Sequence, residues 1–218
     1  MKSLKSTLLA ALLTGLVSVP ASQAAVITWQ TPSAINVTQP SQVLNTGNVY
    51  SAAFNNPYTV NSVAFNIPPS TFGANGAGNN YAPTIPGADA SYRAIVNYGQ
   101  YRASGANATL TLSGLTSGQD YQLQVFTPYW NANYETKLIS GANTVAMGNT
   151  GSAPTYVLGL FTADATTQTF QFTANTGSSY GLLAAVNVVA VPEPSTWAML
   201  LLAGGLTSMV VLRRRRMA

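Results

Sequence analysis

The sequence contains no cysteine and no histidine. Without cysteine there is no disulfide framework, no thiol nucleophile and no zinc–thiolate site. Without histidine the usual general base and the commonest transition-metal ligand are missing. Charge is scarce as well: Asp, Glu, Lys and Arg make up 6% of the 218 residues, against about 25% in an ordinary soluble chain. Glycine, asparagine, serine, threonine and alanine fill the space instead.

The formal net charge of +4 belongs to the ends of the chain. Lys2 and Lys5 lie at the start, and Arg213, Arg214, Arg215 and Arg216 at the finish. Between them stand only Arg93, Arg102 and Lys137, against Asp89, Asp120, Glu135, Asp164 and Glu193, a balance of −2. A basic patch that binds nucleic acid has to sit on the folded domain. Here the basic residues sit in the two terminal segments, so nucleic-acid binding is rejected.

Residues 1–24 read as a secretory signal peptide. Lys2 and Lys5 form a basic start, Leu8 to Val19 a short apolar run, and Pro20 breaks it before Ser22-Gln23-Ala24. Small residues at those positions are what a signal peptidase reads, so cleavage is expected between Ala24 and Ala25. At the other end, Trp197 to Leu212 carries no charge. As a helix these residues span roughly 24 Å, short of a hydrocarbon core of about 30 Å. Trp197 suits the outer interface, and the arginine run suits the cytoplasmic one and can snorkel to extend the span. The expectation is a membrane helix over 197–212 with an Arg-rich cytoplasmic stop at 213–216. A cleaved signal peptide and the positive-inside rule give the same orientation.

The stretch "VPEPSTWAMLLLAGGLTSMVVLRRRR" resembles the C-terminal sorting signal of PEP-CTERM proteins. A Pro-Glu-Pro motif, one apolar helix and an arginine cluster occur in that order over residues 191–218. The resemblance implies that a membrane protease, the exosortase, cleaves near the motif, in bacteria that have an outer membrane and often make exopolysaccharide. It also implies that Pro192, Glu193 and Pro194 are recognition residues of a substrate, not catalytic ones. Two prolines hold the backbone extended and deny it helical bonds, which presents an unfolded strand to a protease.

Residues 25–190 read as an extracytoplasmic β domain. "ATLTLSGL" alternates cleanly through Leu110, Leu112 and Leu115, and "YQLQVFTPY" sets Tyr121, Leu123 and Val125 on one face. "VNSVAFNI" alternates imperfectly at Val60, Val63 and Phe65, and "GLLAAVNVVAV" reads as a closing strand. "YVLGLFTA" and "TQTFQFTA" are expected to pair, with Phe170 and Phe172 inward. Short runs punctuated by Gly, Pro, Asn and Ser predict an antiparallel β-sandwich. One helix is expected, capped by Asp89, with Tyr92, Ile95 and Val96 on one face and Gly99 past its end. "PPSTFGANGAGNNYAPTIPG" is expected to be a loop.

"LTLSGLTSGQDYQLQVF" resembles a hairpin of extracellular sandwiches, in fibronectin type III domains and in galactose-binding-like jelly rolls. The order of elements over 85–191 favours the jelly roll, with the fibronectin III/immunoglobulin-like sandwich as the alternative. Tyr121 is expected to be a corner residue whose hydroxyl bonds backbone.

A glycosidase needs two carboxyls flanking a bond. Asp89, Asp120, Glu135 and Asp164 form no paired motif; Asp89 reads as a helix cap, and Asp120 and Asp164 as turn residues. A serine nucleophile lacks its usual partner in the absence of histidine, and Lys137 alone is weak evidence for one; no Asp-rich loop offers a calcium site. No enzyme activity, metal or cofactor is expected. The strongest recognition candidate is "FTPYWNANYETK", where Tyr129, Trp130 and Tyr134 gather with Asn131 and Asn133. Aromatic faces with amides nearby can stack on a sugar ring; the competing reading has Tyr129 and Trp130 plug one end of the sandwich. The sequence thus predicts an exported, exosortase-sorted, non-enzymatic β-sandwich, a structural or adhesive component of the envelope or matrix. A module that holds exopolysaccharide is the alternative, and a glycan hydrolase relying on Glu135 or Asp164 the more distant one. Low charge with many Thr, Asn and Gln also permits association of sheet edges.

Overall fold

A computed structural model describes residues 25–54, 57–66, 76–78, 89–90, 92, 95, 99–129, 134–148, 150–151 and 153–192. The expected signal segment 1–24 and the tail from Glu193 onward lie outside these residues. Among the described residues no helix is long and apolar enough to cross a membrane; the expected span 197–212 is not among them.

The first sheet holds β1 (Thr28–Trp29), β2 (Ser33–Ala34), β3 (Asn48–Ala53), β9 (Asp120–Phe126), β12 (Thr155–Thr162) and β15 (Ala185–Ala190). Its order is β1-β12-β9-β15-β3, with β2 also on β12, and every pairing is antiparallel. The second sheet runs β11 (Asn143–Ala146), β10 (Thr136–Ser140), β13 (Thr167–Ala174), β8 (Ala108–Ser113). Beside it lie β14 (Tyr180–Leu183), β7 (Gly99–Ala103) and β6 (Gly76–Gly78), and β4 (Tyr58–Val60) forms a hairpin with β5 (Val63–Phe65).

The main core lies between the first two sheets. Tyr121, Leu123, Val125, Val157, Phe161, Val186 and Val188 point into it from one side. Leu110, Leu112, Leu138, Phe170 and Phe172 point in from the other. These are the alternating positions of the sequence, because side chains two apart share a face. Trp29 meets Phe170 edge-on across the gap, with ring centroids 5.7 Å apart. The architecture is the antiparallel β-sandwich that the patterning predicts.

A second cluster covers the outer face of the first sheet at one end. Ala53, Phe126 and Ala185 pack there against Val60, Val63, Phe65, Tyr92 and Ile95. β15 is therefore buried on both faces, which is why its sequence is nearly continuous in apolar residues. Asn187 interrupts that run and stands in register with Gln124 of β9. Asn187 donates to Leu44 O at 2.7 Å, and Gln124 donates to Gln42 O at 2.9 Å and accepts from Leu44 N. Both amides pin the segment 42–44 onto the back of the sheet. A short helical turn, Pro40–Gln42, leads into that segment.

Four expectations are corrected. β12 and β13 do not pair: β12 lies on β9, and β13 lies between β8 and β10. Each has a buried alternating face, but the faces meet the core from opposite sheets. Likewise "LTLSGLTSGQDYQLQVF" is an arch between sheets, not a hairpin, because β8 and β9 belong to different sheets. The region expected to be one long loop contains β6, whose Gly-Ala-Gly pairs antiparallel with β7. In "VNSVAFNI" Asn61 and Ser62 have φ of 48° and 64°, the two-residue hairpin turn that breaks the alternation. Of the expected helix, the described residues Ala90, Tyr92 and Ile95 are helical; Val96 lies outside, and Gly99 opens β7.

Candidate functional site

Two places on the domain are built from residues with chemistry to offer. The first is the end of the sandwich where the chain enters and leaves. The arch between β8 and β9 meets the turn between β12 and β13 through Gly118 N–H to Ala163 O (2.7 Å), Ala163 N–H to Gln119 O (2.9 Å) and Leu115 N–H to Thr166 O (3.1 Å). Tyr121 fixes the arch from inside, its buried hydroxyl accepting Thr116 N–H at 2.8 Å. This is the corner role expected of it. The exit is held by Val191 N–H to Asp120 O (2.9 Å) and by Gln119 Nε2 to Val191 O (2.8 Å). The entry is held by Asp164 Oδ2, which accepts Ala25 N–H at 3.0 Å, and by Gln168 Nε2, which donates to Ala25 O at 2.6 Å.

Between entry and exit lies an open groove of about 430 Å³, lined by Val26, Thr28, Asp120, Tyr121, Leu160 and Val191 among others. Val26, Leu160 and Val191 are 42%, 41% and 36% exposed, an apolar rim on an otherwise polar surface. Asp120 stands at this rim, its Oδ1 accepting Thr162 Oγ1–H at 2.5 Å. Pro192, the first residue of the expected sorting motif, is exposed and is the last described residue. Glu193, Pro194, Arg213, Arg214, Arg215 and Arg216 lie outside the described residues, as does Ala24.

The second place is a pocket of about 210 Å³ lined by Tyr101, Tyr134, Tyr180 and Leu182. Tyr180 and Leu182, two apart on β14, share a face, and Tyr101 on β7 is the register partner of Leu182. Tyr134 joins them from the segment before β10. Thr136 stitches that segment to β14: its Oγ1 donates to Leu182 O at 2.8 Å and accepts Leu182 N–H at 2.7 Å. Ser178 adds a bridge, accepting Glu135 N–H and donating to Tyr180 O. Gly181 lets β14 come this close to β13, since a Cβ there would fall 2.2 Å from Thr173 O. Tyr180 stands edge-on to both partners, with centroids 5.3 Å from Tyr101 and 5.3 Å from Tyr134 and interplanar angles of 81° and 88°. All three tyrosines are half-buried.

The predicted recognition cluster is thus brought in by one member. Tyr134 lines the pocket; Tyr129 is half-buried on the segment after β9; Trp130, Asn131 and Asn133 lie outside the described residues. Tyr101 and Tyr180 were not among the sequence candidates, because they are far from Tyr134 in the chain and only strand pairing unites them. The carboxylates are engaged locally. Glu135 Oε2 accepts Asn175 Nδ2 at 2.6 Å, Asp164 holds Ala25 and Asp120 takes Thr162. Among the described residues no three Asp or Glu side chains gather as a metal site would need.

No curated protein sequence matches the chain. Among solved structures it is similar to the ANX1 ectodomain from Arabidopsis thaliana, at 13% identity and a TM-score of 0.51, over 68% of this chain and 52% of that one. The ANX2 ectodomain of the same plant aligns at 11% identity with a TM-score of 0.47, over 77% of this chain and 51% of that one. The chain spans about half the length of these ectodomains. The ANX1 likeness supports the β-sandwich fold and nothing further. The tail is different: residues 190–216 match the PEP-CTERM protein-sorting motif. That motif begins at the last residue of β15, so this chain is a β-sandwich that leads directly into a PEP-CTERM protein-sorting motif.

Proposed function

We propose that the protein is a non-enzymatic structural or adhesive component of the cell envelope or extracellular matrix, exported by its N-terminal signal and released from its C-terminal anchor by exosortase. The observation that carries this reading is the place of the sorting motif. It starts where the closing strand ends, with Val191 and Pro192 exposed beside the groove, so a protease at the membrane can reach it without unfolding the domain. The domain boundaries that follow are 1–24 for the signal peptide, 25–190 for the sandwich and 191–218 for the sorting tail. Signal peptidase and exosortase are its processing partners.

Fractionation of the host tests this. The wild-type product is expected at the surface or in the medium, and a Glu193→Ala chain in the inner membrane. An unchanged distribution of the variant would contradict the reading.

A second reading is favoured by the tyrosine pocket: contact with exopolysaccharide. Three phenol rings and a leucine line it, without a carboxylate or a cationic side chain among those four, which suits a neutral group. Its volume falls below the roughly 300–1,000 Å³ of drug-sized sites, which suits a single sugar ring. Its walls are tied to backbone before any ligand arrives, so little ordering entropy is lost on binding. Affinity electrophoresis through gels containing polysaccharide extracted from the host checks it. Wild type is expected to be retarded, and Tyr180→Ala and Trp130→Ala to migrate freely while remaining folded. Equal migration of wild type with and without polysaccharide would leave the structural reading alone.

A further inference from the structure

We propose that Asp164 is the receptor for the α-ammonium group created at Ala25 when the signal segment is removed, so that only the processed chain reaches its full stability. The inference rests on cleavage between Ala24 and Ala25. Ala25 N lies 3.0 Å from Asp164 Oδ2 at a part-buried site. Gln168 Nε2 holds Ala25 O at 2.6 Å, Ser140 Oγ accepts Ile27 N–H at 2.9 Å and Asn143 Nδ2 donates to Ile27 O at 3.2 Å. Ile27 itself is fully buried in the main core. Side chains from the turn after β12 and from β13, β10 and β11 thus converge on Ala25 and Ile27, the first of them at the expected cleavage point.

In the precursor, Ala25 N is a peptide amide with one hydrogen and no charge. Hydrolysis of the Ala24–Ala25 bond consumes one water, leaves a carboxylate on Ala24 and frees an amine on Ala25. An α-amine of pKa near 8 is protonated at neutral pH. The contact with Asp164 then becomes a charge-assisted hydrogen bond, roughly twice as strong as a neutral one, and partial burial lessens its screening by salt. The backbone of Asp164 is held too, its carbonyl accepting Ser117 Oγ–H at 2.9 Å. Ser117 stands in the arch whose Gln119 and Asp120 hold Val191. The receptor for the new N-terminus and the exit of the sorting tail are therefore braced on one corner.

The test uses the exported protein purified from its host. Intact mass first establishes whether the chain begins at Ala25. The α-amine is then acetylated at neutral pH, where its lower pKa makes it more reactive than the lysine amine, and the modification is confirmed by mass. Acetylation is expected to lower the thermal midpoint of wild type by about 2–4 °C. Asp164→Asn is expected to lower it by a similar amount, and acetylation of that variant to add nothing. Reductive dimethylation, which keeps the charge and needs no substitution, is expected to leave the wild-type midpoint within about 1 °C. If acetylation leaves the wild-type midpoint unmoved, or if acetylation and dimethylation shift it equally, the pairing is wrong although the cleavage site stands. A chain that begins elsewhere overturns both.

Discussion

The groove at the chain ends and the pocket at the β10–β14 seam both contain tyrosine, yet they use it in opposite ways. Tyr121 in the groove is buried, lies nearly parallel to Phe161 at 5.6 Å and spends its hydroxyl on Thr116 N–H. It belongs to the fold. Tyr101, Tyr134 and Tyr180 are half-buried, stand edge to face and leave a hollow between them. They form a surface. The difference teaches that, in a chain this poor in charge, aromatic side chains serve both as corner bolts and as the walls of a surface hollow. Burial and hydroxyl bonding tell the two uses apart.

The largest effect that sharpens this contrast lies in the tail. Replacing Pro192, Glu193 and Pro194 together by alanine is expected to abolish tail processing, leaving Arg213–Arg216 on the product, while the domain melts as before. Mass spectrometry and a melting curve read the two halves of that outcome. Next come the tyrosines. Tyr121→Ala is expected to cost about 3–5 kcal/mol, as other large buried aromatics do, and Tyr121→Phe about 1–2 kcal/mol from the unsatisfied Thr116 amide. Tyr180→Ala is expected to cost about half as much as Tyr121→Ala, since half of the side chain is already in water, but to remove polysaccharide retention. Denaturant melts and affinity electrophoresis on the same variants check both, and the contrast breaks if Tyr121→Phe loses retention or Tyr180→Ala unfolds the domain.

The smallest effect concerns a third use of tyrosine. Tyr92 is fully buried behind the first sheet, and its hydroxyl has no partner among the described residues. Burial, and then the neighbouring Tyr156, raise its pKa well above the usual phenol value. The neutral form is therefore favoured by the fold, so its contribution is complete below pH of about 10 and is lost as pH rises past that value. Tyr92→Phe is expected to be neutral or to stabilise by up to about 1 kcal/mol at pH 7 and to flatten the loss of stability above pH 10, as pH-dependent denaturant melts will show.

Much of this was legible in the sequence. Alternation placed Leu110, Leu112, Tyr121, Leu123, Phe170 and Phe172 in one core, because side chains two apart on a strand share a face. Pairing was less legible. β12 and β13 are adjacent in sequence and both alternate, and periodicity alone does not say which sheet a strand joins. β6 was invisible because Gly-Ala-Gly gives no side-chain signal. The sorting motif was legible in full, since proline, acid, apolar run and arginine follow one another locally. The tyrosine pocket was not, since Tyr101, Tyr134 and Tyr180 meet only through the pairing of β7 with β14 and the Thr136 stitch.

The most direct test of the central claim is the intact mass of the protein recovered from cells and medium of its host. The account predicts a chain from Ala25 to about Glu193, with or without an adduct at its new C-terminus. A mass that still includes Arg213–Arg216 would contradict it and make the protein a permanently anchored one.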